Sequence, residues 1–568
     1  MQDSKRGDPG MAIHFVMVVS LVLFACTPLW TSGTRKTESL SPEPTIAGAE
    51  VRSIGIFSIL CETRMFFSPD RSKLAWVRYN VDKQSFSVYV NGRRGSYFDE
   101  VGNREVLFSP DSARLMYRAK RDGKWFVVVD GEKGPEFDGL GEGSLVFSPC
   151  SRNVAYVAKK EGKWFVVVNG GKGEGFEEIN SATLTFSPCG ERTAYSARKG
   201  DQWFAVVDGR REGLFDKVFS MVFSPDGKRF AYGAERDGRQ LVVVDGEEGP
   251  EHDEIKKASL VFGPGSEKSA YAAREKDKWF VVLDGKRGPE YDFVSVPVFS
   301  LNGKRTAYSA RKGDKRLVVV DGVEGAEYNV IGIDSLKFSS DSKRVMYPAR
   351  RGGKVFVVVD GVEGPGFDRF TSETPLFGPV GNRVIYGGEK SGKWHVVVDG
   401  VEGPMFEAIG SRSMRISPDG SRVAYGAKKN AKWVVIVDGL EGPQFDGIGS
   451  GSIVFSPDSR RTAYVARKGD KWQVVVDGTE ESLHDHVWIP LFSSDGVGMA
   501  YAARKDRKWF AVVDGLAGPK FDGIYFQTMR FDEEGSFHYF AVNRIEDKME
   551  IFKVEHPSRD GETAGKPE

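Results

Sequence analysis

Residues 124–139 read KWFVVVDGEKGPEFDG, and close copies stand at 278–293, 393–408 and 508–523. An Asp between an apolar run and a glycine has two uses. It can be a carboxylate that moves protons or holds a metal, or it can open a tight turn. Asp or Asn recurs at this position at 91, 130, 169, 208, 245, 284, 321, 360, 399, 438, 477 and 514. A catalytic carboxylate needs one environment tuned to its task, whereas these twelve residues share one ordinary environment. Asp-Gly is also a strong turn signal, since Gly accepts positive φ and the Asp side chain can bond nearby backbone N–H groups. The Asp is therefore read as a turn residue, and no catalytic residue is assigned.

Other chemistry-bearing side chains are few. His484, Asp485 and His486 form the one local cluster, but residues i and i+2 of a strand face opposite ways, so surface histidines are expected and no metal site. Cys150 and Cys189 replace an Asp in two successive copies of one turn. A disulfide needs Cα atoms within about 7 Å, so free thiols are expected, with a bridge as the open alternative. Cys61 has no evident partner. The sequence has no nucleophile elbow, zinc-protease helix or phosphate-binding glycine loop, and no cofactor is expected.

The elements that carry these residues repeat. An FSPD-like box begins at Phe67, Phe108, Phe147, Phe186, Phe223, Phe262, Phe299, Phe338, Phe377, Ile416, Phe455, Phe492 and Phe531, at intervals of 37 to 41 residues. The Asp follows its box by 22 residues in eleven of twelve complete units. Length varies mainly after the Asp, in steps of two, which preserves the alternation of a strand. Each unit reads as four short strands. In the third these are a (144–149), b (153–159), c (163–169) and d (around 175–179). Strand c is apolar on both faces, so it is expected to lie between two other sheets. The expected fold class is all-β, built from thirteen four-stranded blades.

The blades resemble WD40-like repeats of the kind found in TolB-type propellers, through boxes such as SPDGKRFAY (224–232). The Val-Asp of VVVD (127–130) stands where the WD repeat has Trp-Asp. The resemblance covers residues 51–555 and implies a propeller. The α/β domain that precedes the TolB propeller has no counterpart here, so TolB's role is not carried over. One ring usually closes with four to eight blades. Two tandem propellers, six plus seven blades in either order, are therefore expected at 51–310 and 311–555, with the break near 290–335. Pairing of a d-like strand (55–60) with the C-terminal strand (549–555) would close the ends.

Residues 1–26 read as a signal peptide, with an apolar core at 12–25 and a lipoprotein-like LFAC ending on Cys26. An uncleaved anchor over 12–30 is the alternative. Residues 27–50 read as a flexible tether and 556–568 as a disordered tail. Both N-terminal readings predict an exported, envelope-associated protein, with membrane contact only through the lipid or anchor.

Eighty basic and eighty acidic residues cancel, so no specific nucleic-acid partner is expected. Their arrangement is uneven. The eleven b–c hairpins (AKRDGK and its counterparts) sum to +20, and the nine-residue segments opening at the Asp or Asn sum to −28. One basic and one acidic end of the ring are therefore expected. The candidate binding face is the b–c end, at Lys124, Trp125, Lys163, Trp164, Lys278, Trp279, Lys393, Trp394, Lys432, Trp433, Lys471, Trp472, Lys508 and Trp509. These tryptophans either pack between blades or form stacking platforms. The function read from this pattern is a non-catalytic, envelope-associated scaffold that binds a protein, glycan or anionic surface. A propeller-class enzyme acting on a polysaccharide and a purely architectural spacer are the alternatives.

Overall fold

The computed structural model describes residues 49–58, 65–332, 335–371, 375–546 and 548–558. Cys26, Cys61, the signal segment, the tether up to residue 48 and the tail from 559 lie outside the described residues.

Thirteen antiparallel sheets follow one another along the chain, each ordered a-b-c-d. In blade 3, strand b (Val154–Lys160) pairs with c (Lys163–Val168), Lys160 facing Lys163. The loop between them is only Glu161-Gly162, at φ 51° and 78°. Asn169-Gly170, at φ 49° and 82°, makes the same kind of turn into strand d (Gly171–Phe176). Both are two-residue hairpins whose positive φ values match the twist of the flanking strands. Strand d thus lies earlier than 175–179. The residues after it, Glu178–Phe186, open strand a of the next blade, so a single residue, Glu177, crosses between blades. The sequence pattern misplaced d because an exposed edge strand such as GKGEGF carries little apolar alternation.

Phe126, Val127 and Val128 of strand c are all buried, as expected for a strand covered on both faces. Among the described residues, thirteen apolar clusters lie between successive blades. One joins blades 2 and 3 through Met116, Val127, Phe137, Leu145 and Tyr156. Each fully buried side chain of this size contributes about 1.5–3 kcal/mol. The expected division into two propellers is not what forms. Blades 6 and 7 share Val281, Tyr291, Tyr308 and Val319, and blades 7 and 8 share Val318, Tyr328, Leu336 and Tyr347. No interface is skipped across 290–335. The irregular residues there occupy turns, such as the exposed Leu301, while the apolar positions of the blade are kept.

The last interface joins blade 13 to blade 1 through Ile54, Leu74, Trp76, Phe540 and Ile551, so the thirteen blades make one ring. Closure uses the two ends of the chain, as expected. Strand Glu50–Ser58 pairs antiparallel with Lys548–His556, Glu50 facing Glu555 and Ser58 facing Lys548, and supplies strand d of blade 13.

Candidate functional site

The a–b and c–d turns share one end of the ring. Asp130 keeps its turn role, at φ 54°. Its carboxylate reaches back to strand b, accepting from the Leu115 N–H at 2.9 Å and from Arg114 Nε at 2.8 Å. The Arg114 guanidinium lies over the Phe147 ring of the next blade (5.7 Å) and donates to the Arg152 carbonyl at 2.7 Å. Arg229–Asp245, Arg305–Asp321, Arg344–Asp360 and Arg461–Asp477 repeat the pair at 2.7–3.0 Å.

The a–b turn is closed by Ser109 Oγ donating to Asp111, and the Asp111 N–H donates to Ser151 Oγ of the next blade at 3.0 Å. Serine hydroxyls and backbone N–H groups hold the Asp111, Asp226, Asp341, Asp419 and Asp458 carboxyls below the usual range. Cys150 and Cys189 occupy the Asp position as exposed free thiols. The Ser148 hydroxyl and the Arg152 N–H lower the Cys150 thiol.

The b–c hairpins and d–a crossings share the other end. There Asp138 bonds Lys124 of its own blade at 2.7 Å and the Glu161 N–H of the next blade at 2.8 Å. Lys124 lowers the Asp138 carboxyl and is itself raised by it. Lys278–Asp292 (2.6 Å), Lys432–Asp446 (2.5 Å), Lys471–Asp485 and Lys508–Asp522 (2.7 Å) repeat this contact. Lys163 and Lys393 have no ion pair among the described residues.

The tryptophans beside these lysines are half-buried. Trp164, Trp279, Trp472 and Trp509 pack against inter-blade clusters. Cations also cover rings: Arg118 on Trp125 (5.3 Å), Lys159 on Trp164 (5.4 Å), Arg369 on Trp394 (5.3 Å) and Arg504 on Trp509 (5.5 Å). Trp433 faces Lys428 across the b–c pair.

This geometry revises the charge sorting. Each nine-residue acidic segment runs the length of strand d, and ten of the eleven end on an Asp or Glu that sits at the basic end. Cations closing strand b pair with strand-d glutamates as well, as in Lys312–Glu324 (2.6 Å) and Lys429–Glu441 (2.6 Å). The positive charge of the b–c hairpins is met largely by neighbouring carboxylates.

The histidine cluster also differs from expectation. His484 is buried against Tyr501 and Phe510, at the blade position held elsewhere by Phe137 or Tyr291. His486 packs on Trp472 and Trp509, and Asp485 is spent on Lys471.

One site escaped the sequence reading. A cavity of about 490 Å³ opens beside blade 1, lined by Arg52, Lys73, Arg93, Arg94, Phe108 and Tyr117 among others. The signal for it was present. NGRRG (91–95) departs from the acidic consensus of the turn, and Lys73 stands where most blades have Arg.

No family model matches the sequence, and no curated protein matches it. Among solved structures it resembles TolB from Acinetobacter baumannii, at 16% identity over 46% of this chain and 77% of that chain, TM-score 0.21. It also resembles the β-propeller domain of the Trilobed protease from Pyrococcus furiosus, at 17% identity over 46% and 94%, TM-score 0.23. A third is the GH74 enzyme of Niastella koreensis, at 13% identity over 77% and 82%, TM-score 0.21. At these scores the likenesses carry no argument, and the architecture rests on the chain's own thirteen sheets.

Proposed function

We propose that the protein is a non-catalytic binding scaffold of the cell envelope, tethered through its N-terminal segment and presenting the b–c end of its ring to an anionic partner. The observation that supports this most is how the recurrent polar groups are used. The Asp130 and Asp138 series, which have the right chemistry for catalysis, are committed blade after blade to turns and inter-blade contacts. Binding then falls to cations outside those contacts. Lys160, Lys163, Lys315, Lys393 and Lys505 have no ion pair among the described residues, and Lys315 is the position where the crossing residue is Asn329. The apparatus for envelope attachment is the LFAC sequence ending on Cys26.

Co-sedimentation of the full chain with phosphatidylglycerol vesicles and retention on heparin, at about 50 and 500 mM salt, test the reading. Binding at low salt that disappears in Lys160→Glu/Lys163→Glu/Lys393→Glu/Lys505→Glu is the expected result. Equal binding by the variant would overturn the choice of face.

A further inference from the structure

Beside the cavity, blade 1 lacks the Arg–Asp contact of blade 2 and most other blades, as blades 3 and 6 also do with Asn153–Asn169 and Lys268. In blade 2, Arg114 pairs with Asp130, covers Phe147 and donates to the carbonyl of Arg152. In blade 1 the corresponding residues are Lys73 and Asn91. Asn91 still accepts from the strand-b N–H (Leu74, 2.9 Å), and Lys73 Nζ still reaches the equivalent carbonyl, Ala113 O, at 3.0 Å. A lysine has no planar guanidinium to spread over the ring. Phe108 therefore has no cation over it among the described residues, and it becomes part of the cavity wall with Leu115 and Tyr117.

The strand-d positions beside this wall are cationic, as they also are in blades 4 and 6, where Arg211 and Arg287 are ion-paired with glutamates. Arg93 and Arg94 occupy strand positions that hold Glu132 and Lys133 in blade 2, and Arg52 arrives from the closing strand. Arg94 lies over the Tyr97 ring at 4.7 Å. None of Arg52, Lys73, Arg93 or Arg94 has an ion pair among the described residues. The one carboxylate lining the cavity among the described residues, Asp130, is already held by Arg114. Unneutralised cations around an apolar wall, in a space of ligand size, favour an anion that carries a hydrocarbon or aromatic body.

The geometry points to a binding site for a small amphiphilic anion, a phosphate or carboxylate on an apolar body, between blades 1 and 2. It lies at the opposite end of the ring from the lysines of the scaffold reading and does not depend on them.

Isothermal titration of the full chain with hexyl phosphate, hexyl glucoside and inorganic phosphate tests it. Hexyl phosphate is expected to bind one per chain, at least tenfold tighter than either of the others. Arg52→Glu/Arg93→Glu should weaken it at least tenfold. The sharper variant is Lys73→Arg/Asn91→Asp, which rebuilds the contact of blade 2. A guanidinium laid over Phe108 should remove binding while the melting temperature stays the same or rises. Equal affinity for hexyl glucoside or for inorganic phosphate would overturn the proposal. So would unchanged binding by a folded Lys73→Arg/Asn91→Asp protein.

Discussion

The interface between blades 2 and 3 and the seam between blades 13 and 1 are built from the same strands but joined differently. Blades 2 and 3 are linked at both ends by short-range polar contacts. Asp111 reaches Ser151, 40 residues on, at one end, and Asp138 reaches Glu161, 23 residues on, at the other. The seam relies on an apolar cluster and on one long strand pairing, in which Ser53 meets Glu550 across 497 residues. An ordinary interface can therefore be assembled by neighbouring repeats alone, while the seam requires the finished chain.

Deleting residues 50–58 should produce the largest effect. It strips the edge of Lys548–His556, and an unpaired edge invites pairing with other chains. A melting temperature lowered by more than about 10 °C and new oligomers in size-exclusion chromatography are expected. An intact, monomeric, equally stable protein would show that the seam contributes nothing.

Phe176→Ala at an ordinary interface and Phe540→Ala at the seam should each cost about 3–5 kcal/mol in chemical denaturation, since both rings are 1% exposed. A much smaller loss at the seam would mean that its core is looser than its burial indicates.

Acid should act next. Burial lowers His556, on the strand that receives the closing strand, to about 4, with His538 nearby adding to the effect. The native state then binds fewer protons than the unfolded chain between about pH 6.5 and 4. Stability is present in full above that window and declines as pH falls through it. Melting curves from pH 7.5 to 4 should show this decline, and His556→Phe should flatten it. His252, His484 and His486 shift in the same direction at ordinary interfaces, so part of the slope should survive the substitution.

Asp130→Ala should cost about 1–2 kcal/mol by orphaning the Leu115 N–H, and Asn91→Ala should cost less because no guanidinium depends on it. Smallest of all, Lys124→Ala should leave the denaturation midpoint unchanged, because its ion pair with Asp138 is exposed to solvent.

Much of this architecture was legible before any coordinates. The blade number, the strand-c core and the Asp130 turn all follow from fixed spacing. Three features did not. The single ring depends on the small angle between successive blades, which is set by how whole side chains mesh and not by their spacing. The charge at each end was misjudged because strand d is a tight, edge-exposed strand that carries Asp138 to the opposite end from Asp130. The cavity combines Lys73, which departs from the repeat in the sequence itself, with Arg52, which only the closing strand brings beside blade 1.

The location of strand Glu50–Ser58 has a further consequence for biogenesis. During synthesis the blades can stack in order as they emerge, but this segment must wait for nearly the whole remaining chain before its partner exists. Until then it is a nine-residue strand without a sheet, and the growing stack has an open edge at its leading end. Closure is a long-range, late event, the kind of step at which misassembly and cross-pairing compete. The interval before closure is when this protein most needs a chaperone or spatial separation from its own copies.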